Sequence, residues 1–168
     1  MNAKFAIAAA LAGGVILFFW GFVTHSVIPE PVKAFTNEQA VISAIQAGTS
    51  GNGMYFSGKG LLAAVSLGPR LDDRTEDIKP MLIREFLACC LIGLLLAMLL
   101  AGARSESVLG GAVMLGVAAV AAAFGSEFSS WNWYGVSARF VSIEALDLIG
   151  GWFLTGLALG LLRKKLAT

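Results

Sequence analysis

The sequence predicts an all-α membrane protein, a four-transmembrane-helix bundle with a small extracytoplasmic loop region between helices 1 and 2. Composition is the first reason: hydrophobic residues make up 57% of the 168-residue chain and charged residues only 14%, whereas a soluble domain carries about 25% charged residues. Distribution is the second reason. The apolar residues are gathered in four runs, each near the ~20 residues that cross ~30 Å of hydrocarbon.

The four runs are predicted to form a single membrane domain that covers the chain, 1–168. The spans are about 3–24, 81–103, 108–125 and 140–162. A cleaved signal peptide is the alternative for the first run, but the apolar core of such a peptide is about 7–15 residues long. The first run is longer, and no Ala-x-Ala cleavage site follows it, so an uncleaved span is predicted.

Residues 25–80 are more polar than the spans and are predicted to form the extracytoplasmic loop. Thr36 and Gln39 have the spacing of a helix-capping box, and Gly48 is a natural helix stop. A short amphipathic helix is therefore predicted near 37–47.

Two short apolar runs follow in this loop, 54–56 and 61–67, separated by Ser-Gly-Lys-Gly. This pattern fits a small β-hairpin. It equally fits a re-entrant or surface-lying loop.

Lysine and arginine near span ends predict the orientation, because cytoplasmic loops carry an excess of both. Lys4, Arg104 and the cluster 163–165 fall on one side, whereas the opposite short loop holds only Arg139. Both termini are therefore predicted to be cytoplasmic, in a multi-pass protein of the cytoplasmic (inner) membrane. The aromatic residues expected at the outer interface are Trp20, Trp131, Trp133 and Tyr134.

The histidine and cysteine content excludes several chemistries. The chain has one histidine, His25, and two adjacent cysteines, Cys89 and Cys90. It therefore cannot supply two histidines to a haem, a multi-histidine metal site or a Cys-x-x-Cys redox pair. Phosphate-binding, hydrolase and metalloprotease signatures are also missing from the sequence. No catalytic residue, cofactor, metal ligand or nucleic-acid partner is predicted.

Six ionisable residues are predicted to converge on the outer third of the bundle, where a charge inside a span is costly unless it pairs or meets water. Glu144 and Asp147 lie three positions apart and share a helix face, and Arg84 is predicted to pair with one of them. The cluster is interpreted either as a cavity for a cation, proton or polar ligand, or as a structural clamp. Its members are His25, Arg84, Glu85, Arg139, Glu144 and Asp147.

Three functional hypotheses follow. The favoured one is an accessory or scaffolding subunit that contacts another membrane or extracytoplasmic protein through its extracytoplasmic loop. The alternative is a small transporter or channel that uses the outer-leaflet carboxylates Glu144 and Asp147. A membrane enzyme with His25 and a carboxylate as acid and base is a third reading. The predicted partner surface is Tyr55, Phe56 and an aromatic loop with Trp131, Trp133 and Tyr134.

A Gly-x-x-x-Gly motif in span four, Gly156 and Gly160, permits close helix contact. Packing within one bundle is the favoured interpretation. A homodimer through these two glycines is the alternative.

Overall fold

The structure is a computed structural model that describes residues 2–28, 34–66, 78–103 and 107–166. The chain divides into two compact units. The first comprises Met1–Pro31 and Lys79–Thr168, and the second comprises Val32–Ile78. The first unit contains the long helices and the second contains most of the predicted loop.

Four helices are long and apolar enough to cross a membrane, as the composition predicts. α1 spans Ala3–Val27 and α3 spans Ile78–Gly102. α4 spans Val108–Ala123 and continues through a π-helical turn, Phe124–Phe128, into α5, Ser129–Tyr134. α6 spans Ala138–Leu166. Side chains cap three of these helices: Asn2 accepts a hydrogen bond from the Phe5 amide, Ser107 from the Gly110 amide and Ser137 from the Phe140 amide.

The third long helix does not end near 125, and the predicted aromatic loop at 131–135 is wrong. Helical structure continues to Tyr134, and Gly135 ends it with a positive φ of 67°, which favours glycine. Serine side chains are accommodated in this stretch of helix because their hydroxyls bond to carbonyls four residues back instead of competing for other backbone groups. The donors are Ser126, Ser129 and Ser130. The connection to α6 is therefore only three residues, 135–137.

Glycines set the contact between α1 and α3. A β-carbon placed on Gly13 would lie 2.6 Å from the Cα of Gly93, so the two backbones approach closer than any side chain allows. The buried core lies next to this contact, towards the start of α1 and the end of α3. The core includes Ala9, Leu96, Ala97, Leu100, Leu115 and Leu159.

Glycines also set the contact between α4 and α6. A β-carbon on Gly156 would lie 2.7 Å from the Cα of Ala112, and one on Gly160 would lie 3.0 Å from the Cα of Val108. The Gly-x-x-x-Gly motif thus packs within the chain. A homodimer through Gly156 and Gly160 would have to displace α4 from α6.

The second unit holds a short helix and a hairpin. α2 spans Glu38–Gly48, where the spacing predicts a helix, although its N-cap is Asn37 and not Thr36. β1, Gly53–Phe56, pairs antiparallel with β2, Leu62–Val65. The hairpin interpretation of the two short apolar runs is therefore correct.

Candidate polar cavity between three helices

Asp147 joins α6 to α1 through two hydrogen bonds. The hydroxyl of Thr24 donates to the Asp147 carboxylate at 2.6 Å, and the indole Nε1 of Trp20 donates to the Asp147 backbone oxygen at 2.9 Å. Thr24 is only 3% exposed. Because Trp20 and Thr24 are four positions apart on one helix, they share a face. The carboxylate therefore has a fixed partner on the neighbouring helix.

Two adjacent glycines in α6 make room for the Trp20 ring. A β-carbon on Gly150 would lie 2.5 Å from the Cζ2 of Trp20, and one on Gly151 would lie 3.2 Å from its Cδ1. Any larger side chain at Gly150 would push the indole away from Asp147. Trp20 is thus part of the α1–α6 contact, and its place at the outer membrane interface stays a prediction.

Beside this contact lies a cavity of about 480 Å³ lined by α1, α3 and α6. Its ionisable groups are His25 of α1, Glu85 and Cys89 of α3, and Asp147 of α6. The thiol of Cys89 lies 3.9 Å from Oε1 of Glu85. Trp20 and Trp152 form part of the apolar wall. Three helices thus bring two carboxyl groups, an imidazole and a thiol to one opening.

The cavity contains three of the six residues that the sequence groups together: His25, Glu85 and Asp147. Arg84, Arg139 and Glu144 are not among the described residues that line it. Arg84 is exposed on α3, on the side that carries the exposed residues Leu87 and Leu91. Glu85 is also exposed, but neighbouring helix positions point about 100° apart, so Glu85 lines the cavity where Arg84 does not. The ion pair of Arg84 with Glu144 or Asp147 stays a prediction.

The polar face of α6 extends deeper than the cavity. Asp147, Gly151 and Thr155 are spaced four positions apart and follow one stripe. Thr155 is fully buried, and its hydroxyl has no hydrogen-bond partner among the described residues. An unpartnered buried hydroxyl is uncommon. Through Thr155, the polar stripe extends towards the centre of the bundle.

Sequence reasoning missed Trp20, Thr24 and Cys89 as parts of the site. The Gly150-Gly151 pair was the signal for Trp20, because adjacent glycines in a helix mark a place where another group approaches closely. Thr24 carried only the weaker signal of a hydroxyl beside His25. Cys89 lies in an apolar run and carries no signal in the sequence; it is buried.

The chemistry available here is that of a proton or a small hydrated cation. Glu85 and Asp147 supply oxygen acceptors from two different helices, and His25 supplies an imidazole. Among the residues that the structure describes, no three His, Cys, Asp or Glu side chains are placed to hold one metal ion together.

The chain matches no protein-family model, no curated protein and no solved structure.

Proposed function

We propose that the chain is a multi-pass protein of the cytoplasmic membrane with four spans and both termini in the cytoplasm. The distribution of basic residues supports this orientation. Phe5 and Leu162 pack against one core cluster, so the start of α1 and the end of α6 lie at the same end of the first unit. That end carries Lys4 and the exposed basic residues of the last turn of α6. A basic end is typical of the cytoplasmic side.

We further propose that the cavity binds a proton or a small cation, in the manner of a small transporter or channel. One observation carries this proposal: Glu85 and Asp147, from helices distant in sequence, open with His25 into one cavity of about 480 Å³. The sequence nominated Glu144 and Asp147 for this role, and the cavity geometry favours Glu85 in place of Glu144.

The depth of these carboxyl groups in the membrane would determine their energetic cost. Glu85 is the eighth residue of α3 and Asp147 the tenth of α6, so at a rise of ~1.5 Å per residue they lie roughly 10–15 Å into their helices. A charge at the bilayer centre costs at least ~2.5–3.5 kcal/mol, and intramembrane ionisable groups commonly mark ion or proton pathways. If the polar residues served only to fix the helices against one another, the Thr24–Asp147 hydrogen bond would be enough. Such a role gives no reason for a carboxyl group at Glu85.

The test is ion flux in proteoliposomes that contain a pH-sensitive or sodium-sensitive dye. Asp147→Asn should abolish flux, because asparagine keeps an oxygen for the Thr24 hydroxyl but removes the negative charge. Glu85→Gln should reduce flux strongly. The matched control is Glu144→Gln, which removes a carboxyl group from the same helix outside the cavity lining and should leave flux unchanged.

Thermal unfolding in detergent would show that Asp147→Asn remains folded. Wild-type flux that persists in a folded Asp147→Asn variant would contradict the proposal. So would a wild-type protein that moves neither protons nor sodium ions.

Exposed aromatic side chains favour a second candidate function, that of an accessory subunit. Phe56 on β1 and Trp133 on α5 are each 77% exposed, and Tyr134 is 56% exposed. Large exposed apolar groups often mark protein or membrane contacts. Phe56 lies in the proposed extracytoplasmic segment, whereas Trp133 and Tyr134 end a helix that would reach the same side of the membrane.

Site-specific crosslinking tests the accessory function. A photoreactive residue in place of Phe56 should capture one defined protein in native membranes. The matched control is the same probe at Tyr55, whose side chain points to the other face of the hairpin and bonds to Gly51. Capture of lipid alone from both positions would contradict a protein partner.

A further inference from the structure

A second cavity lies on the opposite side of α6 from α1. It is a groove of about 220 Å³ between α6 and the segment that runs through the π turn into α5. Its walls are apolar and aromatic. They include Phe124, Phe128 and Trp131 on one side and Val141 and Ile149 on the other.

One ionisable residue lines this groove, Glu127. Its side chain is half-buried, and no hydrogen bond or ion pair connects it to another described residue. Glu127 lies seven positions before the end of α5, which places it about 10 Å below that helix end. A carboxyl group in such apolar surroundings is expensive unless a partner compensates it.

Glu127 lies within the π turn, Phe124–Phe128, and lines the groove together with both of its phenylalanines. The Phe124 and Phe128 rings stack with centroids 6.1 Å apart, and Phe128 lies 5.6 Å from Trp131. Single π turns within α-helices occur frequently at functional sites. Here three aromatic rings and one carboxyl group line the same groove.

We propose that this groove binds a lipophilic organic cation, a small molecule with an apolar body and one fixed positive charge. Aromatic faces attract cations through their quadrupole, more strongly when water is excluded. A carboxylate adds a Coulomb attraction that strengthens in a medium less polar than water. The apolar body would contact Val141 and Ile149. The groove is smaller than the ~300–1,000 Å³ pockets of drug-sized ligands, so the ligand is about the size of a substituted benzene.

A pair of isosteric probes tests the proposal directly. Benzyltrimethylammonium and neopentylbenzene have the same shape, but only the first is charged. Calorimetric titration of the full chain in detergent micelles, corrected for empty micelles, should show the cation binding at least about tenfold more tightly than the neutral probe. Glu127→Gln should remove that preference. Phe128→Ala should weaken the binding of both probes.

Two controls locate the binding. Glu85→Gln removes a carboxyl group from the other cavity and should leave benzyltrimethylammonium binding unchanged. Glu127→Asp keeps the charge and should retain part of the preference, which keeps the test valid if Glu127→Gln fails to fold.

Equal binding of the two probes to the wild type would overturn the proposal, as would a folded Glu127→Gln variant that keeps the preference. Loss of the preference in Glu85→Gln would place the cation in the other cavity. That result would overturn this inference without contradicting the proposed function.

Discussion

Replacing Trp20 with alanine is expected to lower the free energy of unfolding by about 3–5 kcal/mol, the usual cost of removing a large packed aromatic ring. The indole fills the notch that Gly150 and Gly151 leave in α6. Its loss would leave a space that the two glycines cannot fill. It would also remove the hydrogen bond to the Asp147 backbone oxygen. The measurement is reversible unfolding in mixed micelles, followed by circular dichroism.

A Trp20→Phe variant separates the two contributions. Phenylalanine keeps much of the ring but has no N–H, so it should cost only about 1–2 kcal/mol, from one hydrogen bond and a modest loss of volume. If alanine and phenylalanine destabilised the protein equally, packing in the glycine notch would not be the main contribution of Trp20.

Replacing Gly13 with alanine is expected to destabilise the first unit by about 1–3 kcal/mol, because the added methyl group meets backbone that cannot rotate away. The new β-carbon would lie 2.6 Å from the Cα of Gly93. Only a separation of α1 and α3 relieves that contact. Gly93→Ala should have a similar effect, since its β-carbon would lie 2.9 Å from the Cα of Gly13.

Gly116→Ala is the matched control for Gly13→Ala. It is the same substitution inside a long helix, but its β-carbon would meet only the Phe153 ring, at 3.5 Å, an ordinary contact. Because glycine disfavours helix, alanine there should be neutral or stabilising by up to ~1 kcal/mol. If Gly13→Ala and Gly116→Ala shifted the unfolding curve in the same direction, close backbone approach would not explain the glycines of α1.

The four long helices could be predicted because hydrophobicity and length alone determine them. The end of the third helix could not, because Gly125 and Ser126 resemble loop residues. Whether a serine breaks a helix or bonds back to it depends on local geometry that composition does not contain. That error had a consequence for function. Glu127 fell outside the predicted span and was not considered as a site residue, although it lines the aromatic groove.

The positions of the polar residues along their helices could be predicted, but the directions of their side chains could not. Arg84 and Glu85 are neighbours in sequence and lie at the same level of α3. Only the rotation of α3 against α1 decides which one enters the cavity. That rotation follows from the contact between Gly13 and Gly93, which depends on two helices far apart in the chain. The partnership of Thr24 with Asp147 depends in the same way on how α1 sits against α6.

The contact between α1 and α6 also has a consequence for biogenesis. Trp20 lies on α1, and the glycine notch that receives it lies on α6, about 130 residues later in the chain. At 5–20 residues per second, those ~130 residues take roughly 6–26 s to make. During that time the indole N–H and the Thr24 hydroxyl of α1 have no Asp147 to meet. The α1–α6 contact therefore cannot form while the intervening helices are being synthesised.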